Sequence, residues 1–233
     1  MRDIMGFLKR ILRTGGPDTT TKEASPASFQ QLSEDELRTH LGIATYGAFE
    51  LTNAIRPSYD LQVVPRQGFR RDEYVDDASS TSVPVLMAAA SRNNLMHLFM
   101  DLIESLGPVV DVVLETSHQS GQGHNDLYRE HIDMPVLKST LWDFEDLLLN
   151  DGCTGIAIVN PRRKQEVQFD EHKLLITYGD PLKDFEKSFI AHDVYPDADI
   201  RFVTEAEHVH SSNEKYQHQF EVLKTRLGMD DSW

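Results

Sequence analysis

The chain has 233 residues, a formal net charge of −15 and 39% hydrophobic residues. That is enough apolar material for a core, which excludes a wholly disordered chain, and the length suits one domain with extras. The negative charge repels phosphate backbones, so nucleic acid is not an expected partner; a basic protein or a cation is.

Cys153 is the lone cysteine. It permits no internal disulfide and no cysteine-only zinc cluster. This fits a reducing compartment, and cytoplasmic localisation is the expectation. Cys153 follows an expected helix end, where negative partial charge disfavours a thiolate, so it reads as a small packing residue. No apolar run reaches the roughly 18 residues of a membrane-spanning helix, and Lys9 and Arg10 interrupt the N-terminal apolar stretch too early for a signal peptide.

Residues 1–13 read as a cationic amphipathic helix, with Ile4, Leu8, Ile11 and Leu12 at helical spacing. Arg2, Lys9, Arg10 and Arg13 against Asp3 give this segment +3, which leaves −18 on the rest. Such a helix suits contact with a membrane surface, docking on a partner or folding back on its own acidic domain. Residues 14–32 are rich in Gly, Pro, Thr and Ser and read as a flexible linker. A single mixed α/β domain is expected over 33–229.

Ser33 and Glu36 form a capping box that opens a helix, ended by Gly42. Residues 61–64 look like a short strand, and the polar stretch 67–82 like an exposed loop. Residues 83–89 read as a strand, with a helix from about Val85 as the competing assignment. A helix over 92–106 stops at Gly107-Pro108, and 109–114 is a buried strand. Strand, helix and strand at this spacing predict a right-handed crossover onto a parallel pair. Residues 116–132 read as a polar loop. Asp133 caps a helix reaching Leu148 and stopped by Gly152. Three strands at 155–159, 166–169 and 173–178, with short links, predict an antiparallel meander. A helix to His192, a strand at 200–203 and a helix capped by Ser211 and Glu214 complete the chain. The fold class is α/β to α+β: a single mixed sheet, parallel crossover plus antiparallel meander, covered by helices.

Chemistry concentrates in the 115–133 segment, which carries Glu115, His118, His124, Asp126, His131 and Asp133. Imidazole with carboxylate suits a divalent metal, with zinc, iron or manganese as the options. The candidate ligands are His118, His124, Asp126 and His131, extended by His208 and His210 if the two groups converge. In a strand, His208 and His210 point the same way. The spacing matches no zinc motif, and HExxH is absent. His172, beside Asp170 and Glu171, reads as a turn residue, though its titration near neutrality suits a switch. The Gly121 and Gly123 pair lacks the lysine of a P-loop and the third glycine of a dinucleotide fingerprint. No Gly-x-Ser-x-Gly elbow occurs.

The leading functional reading is a non-catalytic binding or regulatory module, on the acidic domain and the lack of a complete catalytic motif. The alternatives are a metal-dependent hydrolase built on the 115–133 loop and peripheral membrane association through 1–13. The hydrolase reading requires His118, His124 or His131 to meet His208 or His210.

Overall fold

The computed structural model describes residues 28–30, 32–76, 81–118 and 125–229. The 1–13 helix, nearly all of the 14–32 linker and His124 lie outside the described residues.

The first helix, α1 (Glu34–Leu41), begins as its capping box dictates. The Ser33 hydroxyl accepts from the Glu36 backbone N–H, and the Ser33 N–H donates to Glu36 Oε2 at 2.9 Å. Two short hairpin strands follow, β1 (Thr45–Tyr46) and β2 (Phe49–Glu50), then β3 (Ile55–Pro57). Residues 61–64 form no strand.

The main sheet is built from β4 (Gly68–Asp76), β5 (Thr81–Ala89), β6 (Val109–Thr116), β7 (Asn125–Asp133), β8 (Thr154–Asn160), β9 (Gln165–Phe169) and β10 (Leu175–Tyr178). Its order is β4-β5-β10-β9-β8-β6-β7, and each neighbouring pair is antiparallel. The class is therefore α+β, and the expected parallel pair is corrected. Helix α2 (Arg92–Glu104) does connect β5 to β6. Four antiparallel steps separate these two strands, so they run in the same direction, but the β8–β9–β10 meander lies between them. Local spacing sets the direction of a connected strand; later strands compete for the place beside it.

The stretch 67–82, expected as a loop, supplies β4 and the start of β5, paired from Gly68↔Ala89 to Asp76↔Thr81. The second expected loop supplies β7, paired with β6. Both are edge strands of the sheet. Edges are kept polar and charged because an apolar edge invites pairing with other chains, and that polarity makes them look like loops in sequence.

One sheet face carries Phe69, Leu86, Ala88, Val112, Leu114, Ile156, Ile158, Val167, Phe169 and Leu175. Against it pack Leu95, Leu98, Phe99 and Leu102 of α2, and Leu137 and Leu141 of α3 (Met134–Asp143). Leu147 and Leu148 of α4 (Glu145–Asn150) join them, as do Phe185 and Phe189 of α5 (Lys183–Ala191) and Phe220 and Leu223 of α6 (Glu214–Arg226). The stripe expected on 92–106 is the buried face of α2. Gly107 ends this region at φ 113°, where a side chain would be strained. The helix expected from Asp133 to Leu148 is divided at Phe144, which closes α3 and opens α4.

The opposite face carries Val85, Met87, Ile176 and Tyr178, with the buried Glu166 and Gln168. Glu115 joins this polar row: Gln168 Nε2 donates to Glu115 Oε1 at 3.4 Å, and the Tyr178 hydroxyl donates to Gln168 Oε1 at 3.4 Å.

Residues 200–203 form no strand; Val203–Glu205 is a 3-10 turn, and Ile200 and Phe202 pack with Leu174. The strand here is β11 (His208–His210), antiparallel to β3. The last helix starts at Asn213, whose side chain accepts from the Tyr216 N–H, and not at Ser211. Ser211 is already engaged: its N–H donates to Ala54 and its carbonyl accepts from Gly152, both at 2.8 Å. Among the described residues no helix is long and apolar enough to cross a membrane.

Candidate functional site

The β9–β10 turn and β11 meet at the end of the sheet. In the turn, the Lys173 N–H donates to the Asp170 carbonyl, and the Leu174 N–H to Asp170 Oδ1 at 2.7 Å. On β11, alternation along the strand puts His208 and His210 on one side. The three rings converge, with centroids 5.0 Å apart for His172–His208, 4.7 Å for His172–His210 and 5.1 Å for His208–His210. One nitrogen from each lies within 4.8 Å of the others.

Hydrogen bonding selects which nitrogen carries the proton. His208 Nδ1 contacts the Ala206 carbonyl at 2.8 Å, and His210 Nδ1 the Gly152 carbonyl at 2.6 Å. A carbonyl only accepts, so both Nδ1 atoms carry the proton. His172 Nδ1 donates to Asp170 Oδ2 at 2.9 Å. Each ring therefore keeps its Nε2 lone pair for a shared ion. Metal-binding histidines are oriented in the same way, by a carbonyl or carboxylate on the other nitrogen. A zinc ion bonded at about 2.05 Å needs ligand separations of about 3.3 Å, a contraction within reach of small side-chain rotations.

The rings differ electrostatically. For His172 burial favours the neutral form, but the Asp170 carboxylate outweighs it and holds the pKa above the usual histidine value. Burial pushes the His210 pKa down, and the neighbouring His172 and His208 add to this against the pull of the Gly152 carbonyl. Next to them Lys173 is buried, its Nζ donating to the Thr154 carbonyl at 2.9 Å, and burial lowers its pKa to about 8. The Ser117 hydroxyl donates to Glu171 Oε2 at 2.9 Å.

A second group adjoins the first through Gly152. It comprises His118, Asp151 and Cys153, one ligand atom from each within 4.8 Å of the others. Cys153, expected as a mere packing residue, is half-buried here, and burial raises its thiol pKa. Gly152 itself admits no side chain. A Cβ there would collide with the Ala54 carbonyl oxygen and lie 2.9 Å from the Ser211 nitrogen. Gly152→Ala is expected to push β3 and β11 away, cost roughly 1–3 kcal/mol as overpacking does, and displace His210. A urea unfolding midpoint equal to that of the wild type would refute this.

The expected ligands are distributed unevenly. His118 lies just beyond β6, beside Asp151. Asp126 pairs across β7 with Glu115 near the same end. His131 is exposed at the other end of β7, where its N–H meets Asp111, roughly 17 Å along the strand from Thr116. His131 and His118 therefore do not meet. His208 and His210 gather with His172, expected as a turn residue, and not with a ligand from the 115–133 segment. The legible signal was the imidazole beside Asp170 at a hairpin tip, a carboxylate able to fix its tautomer. No family model, no curated protein and no solved structure matches this chain.

Proposed function

We propose that this protein is a metal-dependent hydrolase that holds a divalent transition ion, zinc foremost, through Nε2 of His172, His208 and His210. The observation that carries this is the convergence of three rings whose Nδ1 atoms are engaged elsewhere, which leaves each Nε2 free to ligate. An all-imidazole set suits zinc, iron or nickel and disfavours manganese, which prefers oxygen donors. Three neutral ligands leave zinc its full charge and an open position, a combination that lowers the pKa of a bound water to about 7. Glu171, whose charge acts on both His172 and His210 and which accepts from the Ser117 hydroxyl, is the carboxylate we nominate to move a proton. The acidic surface favours accumulation of cations around the site.

The test is metal content after purification without chelator, together with zinc titration. Wild-type protein is expected to hold zinc, and His208→Ala with His210→Ala to lose one equivalent. His131→Ala is expected to match the wild type. No uptake of zinc or iron by the wild type would overturn the reading. Zinc uptake with no turnover of any ester or phosphoester would leave a metal-stabilised binding module instead of an enzyme.

A further inference from the structure

Beyond the histidine trio, the ends of β6 and β8 create a second constellation. These strands pair up to Thr116↔Thr154, so the residues just outside the ladder, 117–118 and 151–153, are brought side by side. The Ser117 N–H donates to the Cys153 carbonyl at 3.0 Å and holds the two segments in register. His118, Asp151 and Cys153 then face one another, offering nitrogen, oxygen and sulfur.

Two of these groups are unsatisfied. Asp151 is wholly buried, and its Oδ1 has no hydrogen-bond partner. His118 Nε2 is equally enclosed and makes no hydrogen bond, although it lies 3.0 Å from Asp151 Oδ2. The pair is close enough to attract as an ion pair. The Asp151 carboxylate thus lies beside His118 Nε2, and Oδ1 is its oxygen without a hydrogen bond. The surroundings fix the ligands from behind. His118 Nδ1 meets the Thr116 hydroxyl at 2.6 Å, and the Thr154 hydroxyl donates to Asp151 Oδ2 at 2.5 Å. Buried polar atoms without partners are rare, and a missing ion is one physical reason for them.

We propose that Cys153 Sγ, His118 Nε2 and the Asp151 carboxylate form a second metal site, adjacent to the histidine trio and selective for a thiophilic divalent ion such as zinc. The thiolate excludes magnesium and calcium as its natural occupants, because those hard cations take oxygen ligands. On binding, the Cys153 thiol loses its proton to solvent, the His118 Nδ1–H donates to Thr116, and the two orphaned atoms gain a shared partner.

Cobalt(II) is the probe, titrated into the full-length protein after chelator treatment and followed by absorption. Thiolate bound to cobalt produces a charge-transfer band in the near ultraviolet, which imidazole and carboxylate do not. As Cys153 is the lone cysteine, this band reports one site only. The wild type is expected to show it, and so is His208→Ala, which separates this site from the trio. Cys153→Ser is expected to lose the band while keeping the visible bands of the imidazole site, which also shows that it folds. His118→Ala and Asp151→Asn are expected to weaken cobalt binding at this site at least tenfold. Cobalt uptake by the wild type without the charge-transfer band overturns the proposal. So does a band of undiminished affinity in both His118→Ala and Asp151→Asn, which would mark an exposed thiol alone.

Discussion

In a Cys153→Ser background, which removes the second site, zinc at a free concentration a hundredfold above its dissociation constant is expected to raise the unfolding free energy by about 2.7 kcal/mol, and adding His172→Ala is expected to abolish the gain. The ion would join the β9–β10 turn of the main sheet to β11, whose only strand partner among the described residues is β3. It would therefore staple a small peripheral element to the principal core. The gain should also depend on pH, because the ligands must be neutral imidazoles. His172 has a raised pKa and protonates first as the pH falls, whereas His210 resists protonation. The zinc effect is thus larger at about pH 7.5 than at about pH 5.5, which lies below the ordinary histidine range. Urea unfolding with and without zinc at both values measures this. An equal gain in His172→Ala would remove the ring from the site.

The second large effect belongs to Glu166. It is enclosed on the sheet face opposite the helices, and its Oε2 has no hydrogen-bond partner. Burial pushes its pKa up to about 8. Glu115 is likewise raised to about 8, first by burial and then by the charges of Asp126 and Glu166. Both carboxyls hold their protons more tightly in the folded chain than in the unfolded one. The stability this contributes is complete below about pH 4.5 and is lost as the pH rises through about 8. Glu166→Gln cannot ionise, so it is expected to exceed the wild type by roughly 3–5 kcal/mol at about pH 9 and to differ little at about pH 5. The quantity to measure is the difference in urea midpoint across this range. A difference that does not change with pH would show that Glu166 ionises without cost.

Local chemistry was legible where a segment could satisfy itself. Ser33 and Glu36 are three residues apart, and their reciprocal hydrogen bonds need nothing else. The apolar stripe from Leu95 to Leu106 and the stop at Gly107 follow from helix geometry. The links between β8, β9 and β10 are too short for anything but antiparallel pairing. Where a strand finds its neighbour is a different question. The α2 connection left β5 and β6 co-directional, but only the assembled sheet inserted three strands between them. Polarity told the same story for an exposed loop and for the edge strands β4 and β7, because both face water.

The site divides in the same way. The sequence by itself determined that His208 and His210 share a side of any strand that contains them, and that His172 sits beside a carboxylate. Only the tertiary structure decided that a hairpin tip from the main sheet meets β11, and that the ends of β6 and β8 bring His118 to Asp151 and Cys153. Those residues stand 36 and 33 or more positions apart in the chain. No local periodicity spans such distances; the antiparallel registers of the folded sheets do.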